Sequence, residues 1–329
     1  MTVKTVLILV FLSGLAAAQE DITQRPGPDS GPTKIWFAAY IIDVHSISST
    51  DQSFTANLFY RLRWHDPRLA GLADKTVNRP LDEIWNPQHQ ITNQQRVWKT
   101  FPEQAEVSPE GEVLYRQRVW GIFSQPLDLI EFPFDRHYFT VQFVFVGHRS
   151  DEIQLLVEPE LSSGIASRLT LADWKVHDLI TIPKLYEPLP DFPALPGFAI
   201  SFGAERKIGY YFFKIILPLL FIVMMSWIVF WIDPSLTAVQ ISVSVTSMLT
   251  LIAYRFMISG FLPRISYLTH LDQLVIGATT MVFAVLVEAV YTSILVNQKK
   301  TDKALAVDRK CRIVFPALFV LLITATLLM

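Results

Sequence analysis

Cysteine is almost absent from this chain: Cys311 is the single one in 329 residues. No intrachain disulfide can form, and neither a multi-cysteine zinc site nor a thiol nucleophile is possible before that position. Charge is also scarce. Only 18% of residues are charged and the net charge is −2, which leaves no basic footprint for nucleic acid. The chain has no nucleophile elbow, no HExxH, no phosphate-binding loop and no recognisable catalytic carboxylate pair, so an enzyme is not expected, and no metal or cofactor is implied. What is abundant is apolar surface. Hydrophobic residues make up 51% of the sequence and the mean hydropathy is +0.34, a balance that points to a membrane protein.

The amino terminus carries Lys4, an apolar run from Val6 to about Leu15, and Ala16-Ala17-Ala18. A charged start, an apolar centre and small residues predict a signal peptide over residues 1–18. The alternative, an uncleaved anchor helix, would need a longer apolar run. From Thr33 to Arg206 the apolar residues alternate. Phe54, Ala56, Leu58, Tyr60, Leu62 and Trp64 share one face, and Thr55, Asn57, Phe59, Arg61 and Arg63 the other. The same period of two returns at Val113-Tyr115-Gln117-Val119, from Phe139 to Val146, and at Ile153-Leu155-Val157. Turn residues such as Asp66-Pro67 and Pro109-Glu110-Gly111 separate the runs, which predicts an exported all-β sandwich over residues 19–206. Prolines between Pro183 and Pro196 predict a long loop before a last strand.

Beyond Arg206 the texture changes. Apolar spans of membrane-helix length run over about 210–231, 235–261, 267–296 and 311–328, within a domain of residues 207–329. Lys299, Lys300, Lys303, Arg309, Lys310 and Arg312 lie between the third and fourth and are expected in a cytoplasmic loop. An exported amino-terminal domain followed by three crossings puts that loop on the same side, so the two cues agree. The expected location is the inner (plasma) membrane, with the sandwich outside the cytoplasm.

The second span holds the pattern of most interest. Ala238, Ser242, Thr246, Leu249, Ala253, Phe256 and Gly260 step by three or four and fall on one helical stripe. Small and hydroxyl-bearing residues at one end and Leu, Ala and Phe at the other suit a wet pore with a hydrophobic constriction. Close helix packing through small residues explains the same pattern and stays open on these residues alone.

One loop is oddly greasy: Glu131-Phe132-Pro133-Phe134-Asp135-Arg136. That loop, the β-rich domain and four spans together resemble the pentameric ligand-gated ion channels, most closely the prokaryotic members. Trp64-x-Asp66-x-Arg68-Leu69, Trp85-Asn86-Pro87, Arg206 ahead of Pro218, and Leu262-Pro263-Arg264 fit the same family in order and spacing. Where animal members have two bridged cysteines, this chain has Gln125 and Phe139.

The resemblance implies a homopentamer around a central pore, each chain partnered by four further copies of itself and by lipid. Ala238, Ser242, Thr246, Leu249, Ala253 and Phe256 would line the pore, with Leu249 as gate. Pro133 and Phe134 would press on the turn from Pro263 to His270, and Arg206 would pair with Asp135 or Asp51. Phe59, Tyr186 and Phe192 would contribute to an agonist site between subunits, for an unidentified small molecule. His45, His137 and His270 are the candidates if protons are the stimulus. Cations are the expected permeant ions, since no basic residue lies on the stripe. Glu288 within the third span should face protein or water. A non-conducting membrane receptor is the rival reading.

Overall fold

The computed structural model describes residues 21–28, 31–159, 163–187, 190, 193–260 and 264–328. The predicted signal peptide, Phe192 and Pro263 lie outside the described residues.

Among the described residues twelve strands form two sheets: β1 (Thr33–Ser48), β2 (Ser53–His65), β3 (Val77–Pro80), β4 (His89–Ile91), β5 (Gln94–Lys99), β6 (Gln104–Val107), β7 (Glu112–Ser124), β8 (Arg136–Phe145), β9 (Ile153–Val157), β10 (Gly164–Ile165), β11 (Trp174–Pro183) and β12 (Gly197–Arg206). The larger sheet runs β10-β1-β2-β7-β6-β3, with β5 paired to β7 and β9 to β1; the smaller runs β11-β12-β8-β4. The longest ladder joins β2 to β7 without a break, from Ser53 opposite Ser124 to His65 opposite Glu112. Such a register is well specified because a slip of one residue would turn the whole apolar face of β2 into water.

The expected inward face of β2, Phe54 to Trp64, is buried throughout, at 0–1% exposure. Phenylalanines then interleave between the sheets: Phe37 of β1 stacks on Phe198 of β12 at 4.5 Å, and Phe54 of β2 meets Phe139 of β8 at 5.3 Å. Each such ring contributes roughly 1.5–3 kcal/mol by burial. Gln117 breaks the apolar pattern of β7 yet is fully buried. Its amide satisfies itself by donating to the Phe101 carbonyl (3.0 Å) and accepting from the Phe101 N–H (2.9 Å). At the Pro109-Glu110-Gly111 turn, Gly111 has φ +86°, and a Cβ there would lie 2.6 Å from the Asp66 carbonyl oxygen, so no other residue fits without displacement.

The tryptophan-led motifs are structural. Asp66 is fully buried and binds Arg68 through its backbone N–H (3.1 Å), Nε (2.9 Å) and a terminal nitrogen (2.8 Å). Arg68 reaches on to the carbonyls of Asp21 and Gln24, tying the amino-terminal segment to the sandwich. Trp64 and Trp85 pack edge to face at 5.9 Å beside it.

Among the described residues four helices follow: α1 (Ile208–Trp231), α2 (Thr237–Ile258), α3 (His270–Asn297) and α4 (Thr301–Leu328). The first three are long and apolar enough to cross a membrane by length and composition. α1 contains a π-helical turn at Phe212–Ile216, just ahead of Pro218. A proline has no N–H for the carbonyl four residues back and its ring crowds that carbonyl, so the widened turn sits where the ladder is interrupted. Tyr254 of α2 donates to the Ile215 carbonyl in the same turn.

One expectation needs correction. α4 starts at Thr301, not near residue 311, so Lys303, Arg309, Lys310 and Arg312 stand on a helix and only a short turn separates α3 from α4. Hydropathy locates the apolar part of a helix; it is blind to charged turns added before it.

Candidate functional site

Two regions gather the singled-out residues: the junction between sandwich and helices, and the outward stripe of α2.

Arg206, the last residue of β12, is the hub of the junction. It is 7% exposed. Its Nε and one terminal nitrogen bind both oxygens of Asp135 at 2.7 and 2.8 Å, a two-point clamp. The remaining donors reach Tyr211 Oη at 2.9 Å and Ser49 Oγ at 3.0 Å. The guanidinium also lies 4.1 Å from the Trp174 ring and 4.8 Å from the Phe132 ring. Ser49 belongs to the β1–β2 turn and Asp135 to the β7–β8 loop. Two loops at the bottom of the sandwich are therefore fastened to the residue from which α1 departs. Asp51, the alternative partner, instead accepts from Ser48 Oγ at 2.7 Å.

Asp135 is 2% exposed and also contacts His137 Nε2 at 2.8 Å. Burial pushes its carboxyl up, but the hydrogen bonds from His137 and Arg206 and the charge of Arg206 outweigh burial and hold it below the usual carboxylate range. Burial likewise opposes the Arg206 charge, and Asp135 more than offsets it.

The β7–β8 loop continues into the helices by main-chain bonds. The N–H groups of His270 and Leu271 donate to the carbonyls of Ile130 (2.9 Å) and Phe132 (3.2 Å). These are the first donors of α3, which have no partner inside their own helix. Thr269 and Asp272 form a capping box that satisfies the next ones, with bonds of 3.0 and 3.1 Å. Leu129 N–H donates to Tyr267 Oη at 3.0 Å. The greasy loop is thus the N-terminal cap of α3. The aromatic that it buries most fully is Phe132, at 1% exposure and edge-on to Tyr211 at 5.1 Å. Phe134, expected at the apex, is half-buried. With Pro133 it lines an apolar cavity of about 280 Å3 shared with Phe212, Ile216, Leu274 and Ile323. Across the ends of the β7–β8 loop, Gln125 Oε1 accepts from the Thr140 N–H at 3.2 Å.

On α2 the stripe Ala238, Ser242, Thr246, Leu249, Ala253 and Phe256 is exposed throughout, with Leu249 at 62% and Phe256 at 76%. The opposite face, Gln240, Ser244, Ser247, Leu251 and Tyr254, is the one that packs into the chain's own bundle. Packing through small residues within one subunit therefore does not account for the stripe.

Of the aromatics proposed for an agonist site, the two that are described, Phe59 and Tyr186, stand on different segments. Phe59 is on β2 and meets Phe101 at 6.4 Å. Tyr186, after β11, bridges to Leu195 and lines a cavity of about 580 Å3 with Thr92, Asn93, Gln125, Gln142 and Glu187. Most of the residues that line it carry polar side chains. Of the histidines, His45 is exposed, 3.4 Å from Asp43 and 3.3 Å from Thr170; His270 lines the 280 Å3 cavity; only His137 touches the Arg206 cluster.

Sequence reasoning missed Ser49, Trp174, Tyr211 and Phe132 at the junction. It also missed His89, whose Nε2 lies 2.6 Å from Tyr60 Oη, with the Tyr115 and Phe143 rings at 5.5 and 6.2 Å. Burial chiefly, with Lys99 adding to it, pushes this imidazole down to about 4. An imidazole held neutral in the fold but free to charge at about 6.5 in the unfolded chain stabilises fully above that value. The contribution is lost as pH falls from about 6.5 towards 4, up to about 3 kcal/mol. His89→Gln is expected to flatten the acid limb of the sandwich's unfolding curve, followed by tryptophan fluorescence; an unchanged limb would dismiss His89.

Sequence comparison agrees with this arrangement. The family description "Neurotransmitter-gated ion-channel ligand binding domain" matches residues 17–182, and "Neurotransmitter-gated ion-channel transmembrane region" matches residues 215–306. A proton-gated ion channel of Gloeobacter violaceus is 25% identical over 329 residues, covering 95% of this chain and 88% of that one. A gamma-aminobutyric acid receptor subunit beta of Lymnaea stagnalis is 26% identical over 296 residues. That match takes in 82% of this chain, which spans only 57% of the length of the snail protein.

Proposed function

Because the chain belongs to the neurotransmitter-gated ion-channel family, we propose that it acts as a homopentameric cation channel opened by extracellular acidification, and that the junction cluster is where protonation is felt. The observation that carries this reading is the single carboxylate, Asp135, held by Arg206 on one side and His137 on the other. A neutral His137 leaves the Asp135 charge to Arg206. A protonated His137 brings a second cation to the same carboxylate and weakens the hold on Arg206. Arg206 is one residue from the start of α1, and the loop carrying Asp135 caps α3, so the change reaches both helices.

The relative named for proton gating supports protons over an amine agonist. So does the 580 Å3 cavity, whose lining among the described residues offers one aromatic, Tyr186, where a cation cage would need several. Selectivity for cations rests on the absence of basic side chains on the α2 stripe. An inner-membrane location follows from the predicted signal peptide and the basic start of α4.

The test is a pH series of currents from the purified protein in lipid. His137→Gln keeps a hydrogen-bond donor but cannot gain charge. It is expected to shift half-activation by about one pH unit or more, equivalent to roughly 1.4 kcal/mol. A pH curve superimposable on that of the unmodified channel would remove His137 from the trigger, leaving His45 and His270 for the same measurement. Absence of current under every stimulus would favour the non-conducting receptor.

A further inference from the structure

At the other end of the helices, far from the junction in the chain, two carboxyl groups are enclosed together. Glu288 lies on the inward stripe of α3 with Val285, Ala289 and Thr292; Asp308 lies on that of α4 with Ala304. Glu288 is 9% exposed and Asp308 1%. The two side chains are within hydrogen-bonding reach of each other. Yet all four of their oxygens are shut off from solvent with no hydrogen-bond donor.

The neighbours explain the lack. Gln240 of α2 is close to Asp308, but its amide N–H group is directed at the carbonyls of Val229 (3.3 Å) and Ile232 (3.0 Å). Thr292, one turn after Glu288, donates to backbone carbonyls of its own helix at 3.1 Å. Arg312 of α4, the nearest cation, gives its Nε to the Phe230 carbonyl at 2.9 Å and lies 5.4 Å from the Trp231 ring. Asp233, in the α1–α2 turn, adds only like charge. Lys303, Arg309 and Lys310 are on the exposed side of α4. Beside the pair stands an apolar cluster of Val229, Phe230, Val285 and Ala289, with Cys311 against it.

Two ionised carboxylates in contact, away from water and without a donor, are physically untenable; one proton resolves the conflict, because the O–H of either acid donates to the oxygen of the other. The geometry points to a proton-binding site inside the membrane bundle, in which one proton shared by Glu288 and Asp308 ties α4 to α3. The proton is taken up from solvent: an O–H bond forms on one carboxylate as an O–H bond of hydronium breaks, leaving water, and no other bond changes. The site is separate from the Asp135–His137 junction and does not depend on it.

Infrared spectroscopy of the full-length protein in lipid tests this. At neutral pH the unmodified channel should show the carbonyl stretch of a protonated, buried carboxylic acid. That band should be lost in both Glu288→Gln and Asp308→Asn, because an amide supplies the donor and the surviving acid can ionise. Thermal unfolding gives a second readout. The unmodified channel should lose stability as pH is raised and the shared proton is stripped, and Asp308→Asn should lose that dependence. No protonated-acid band in the unmodified protein, or a band that persists in both variants, would overturn the assignment. So would rescue of high-pH stability by sodium or potassium, which would make the pair a metal-cation site. The first measurement needs no variant, so failure of either variant to fold does not shield the proposal.

Discussion

Arg206→Ala should leave a channel that assembles but fails to answer its stimulus, with evoked current reduced at least tenfold. The residue is enclosed, and its guanidinium joins Asp135, Ser49 and Tyr211 at 2.7–3.0 Å. Removing one partner of such a pair leaves the other charge buried and uncompensated, typically at a cost of about 3–5 kcal/mol. Here that cost falls on contacts between the β1–β2 turn, the β7–β8 loop and the start of α1, and the core of the sandwich is not touched. Surface labelling should therefore find assembled pentamers. Arg206→Lys should be intermediate, since an ammonium keeps the charge but cannot grip both carboxylate oxygens and stack on Trp174 at once. Normal activation of the alanine variant would remove Arg206 from the coupling role.

Leu249→Ser is the second large effect expected, and in the opposite direction. Leu249 is 62% exposed within its own subunit, on the side of α2 away from the bundle. If that side faces the axis of the pentamer, five leucines form a ring that water does not readily wet. Exchanging each for a hydroxyl need favour the wet state by only about 0.6 kcal/mol. Over the ring this amounts to about 3 kcal/mol, or roughly a hundredfold in the opening equilibrium. The variant should conduct at pH values where the unmodified channel is shut. Unchanged activation would dismiss Leu249 as the gate.

The sandwich was legible because its strands bury one face only, so the period of two from Phe54 to Trp64 is written directly in the sequence. The first three helices were legible because lipid demands long apolar runs. The start of α4 was not, because Asp302, Lys303 and Asp308 carry no hydropathy signal. Asp135 and Arg206 could be named because the loop motif and the arginine ahead of Pro218 resemble those of the channel family. Their companions could not: Ser49 is 157 residues from Arg206, and only the convergence of two loops brings them within 3.0 Å. Phe132 and Phe134 flank the same proline, and nothing local says which ring is buried. Glu288 was marked by its cost in a membrane, but its companion Asp308 lay in what looked like a basic loop.

The central claim is that the exposed stripe of α2 borders water inside a pentamer. The scarcity of cysteine makes a direct measurement simple. With Cys311 replaced by serine, single cysteines are placed at Ser242, Thr246, Ser244 and Leu251, and a charged, water-soluble thiol reagent is applied while current is recorded. Modification should block the open channel at Ser242 and Thr246 and leave it unaffected at Ser244 and Leu251. Block at the buried pair, with none at the stripe, would show that the stripe faces lipid and would contradict the account.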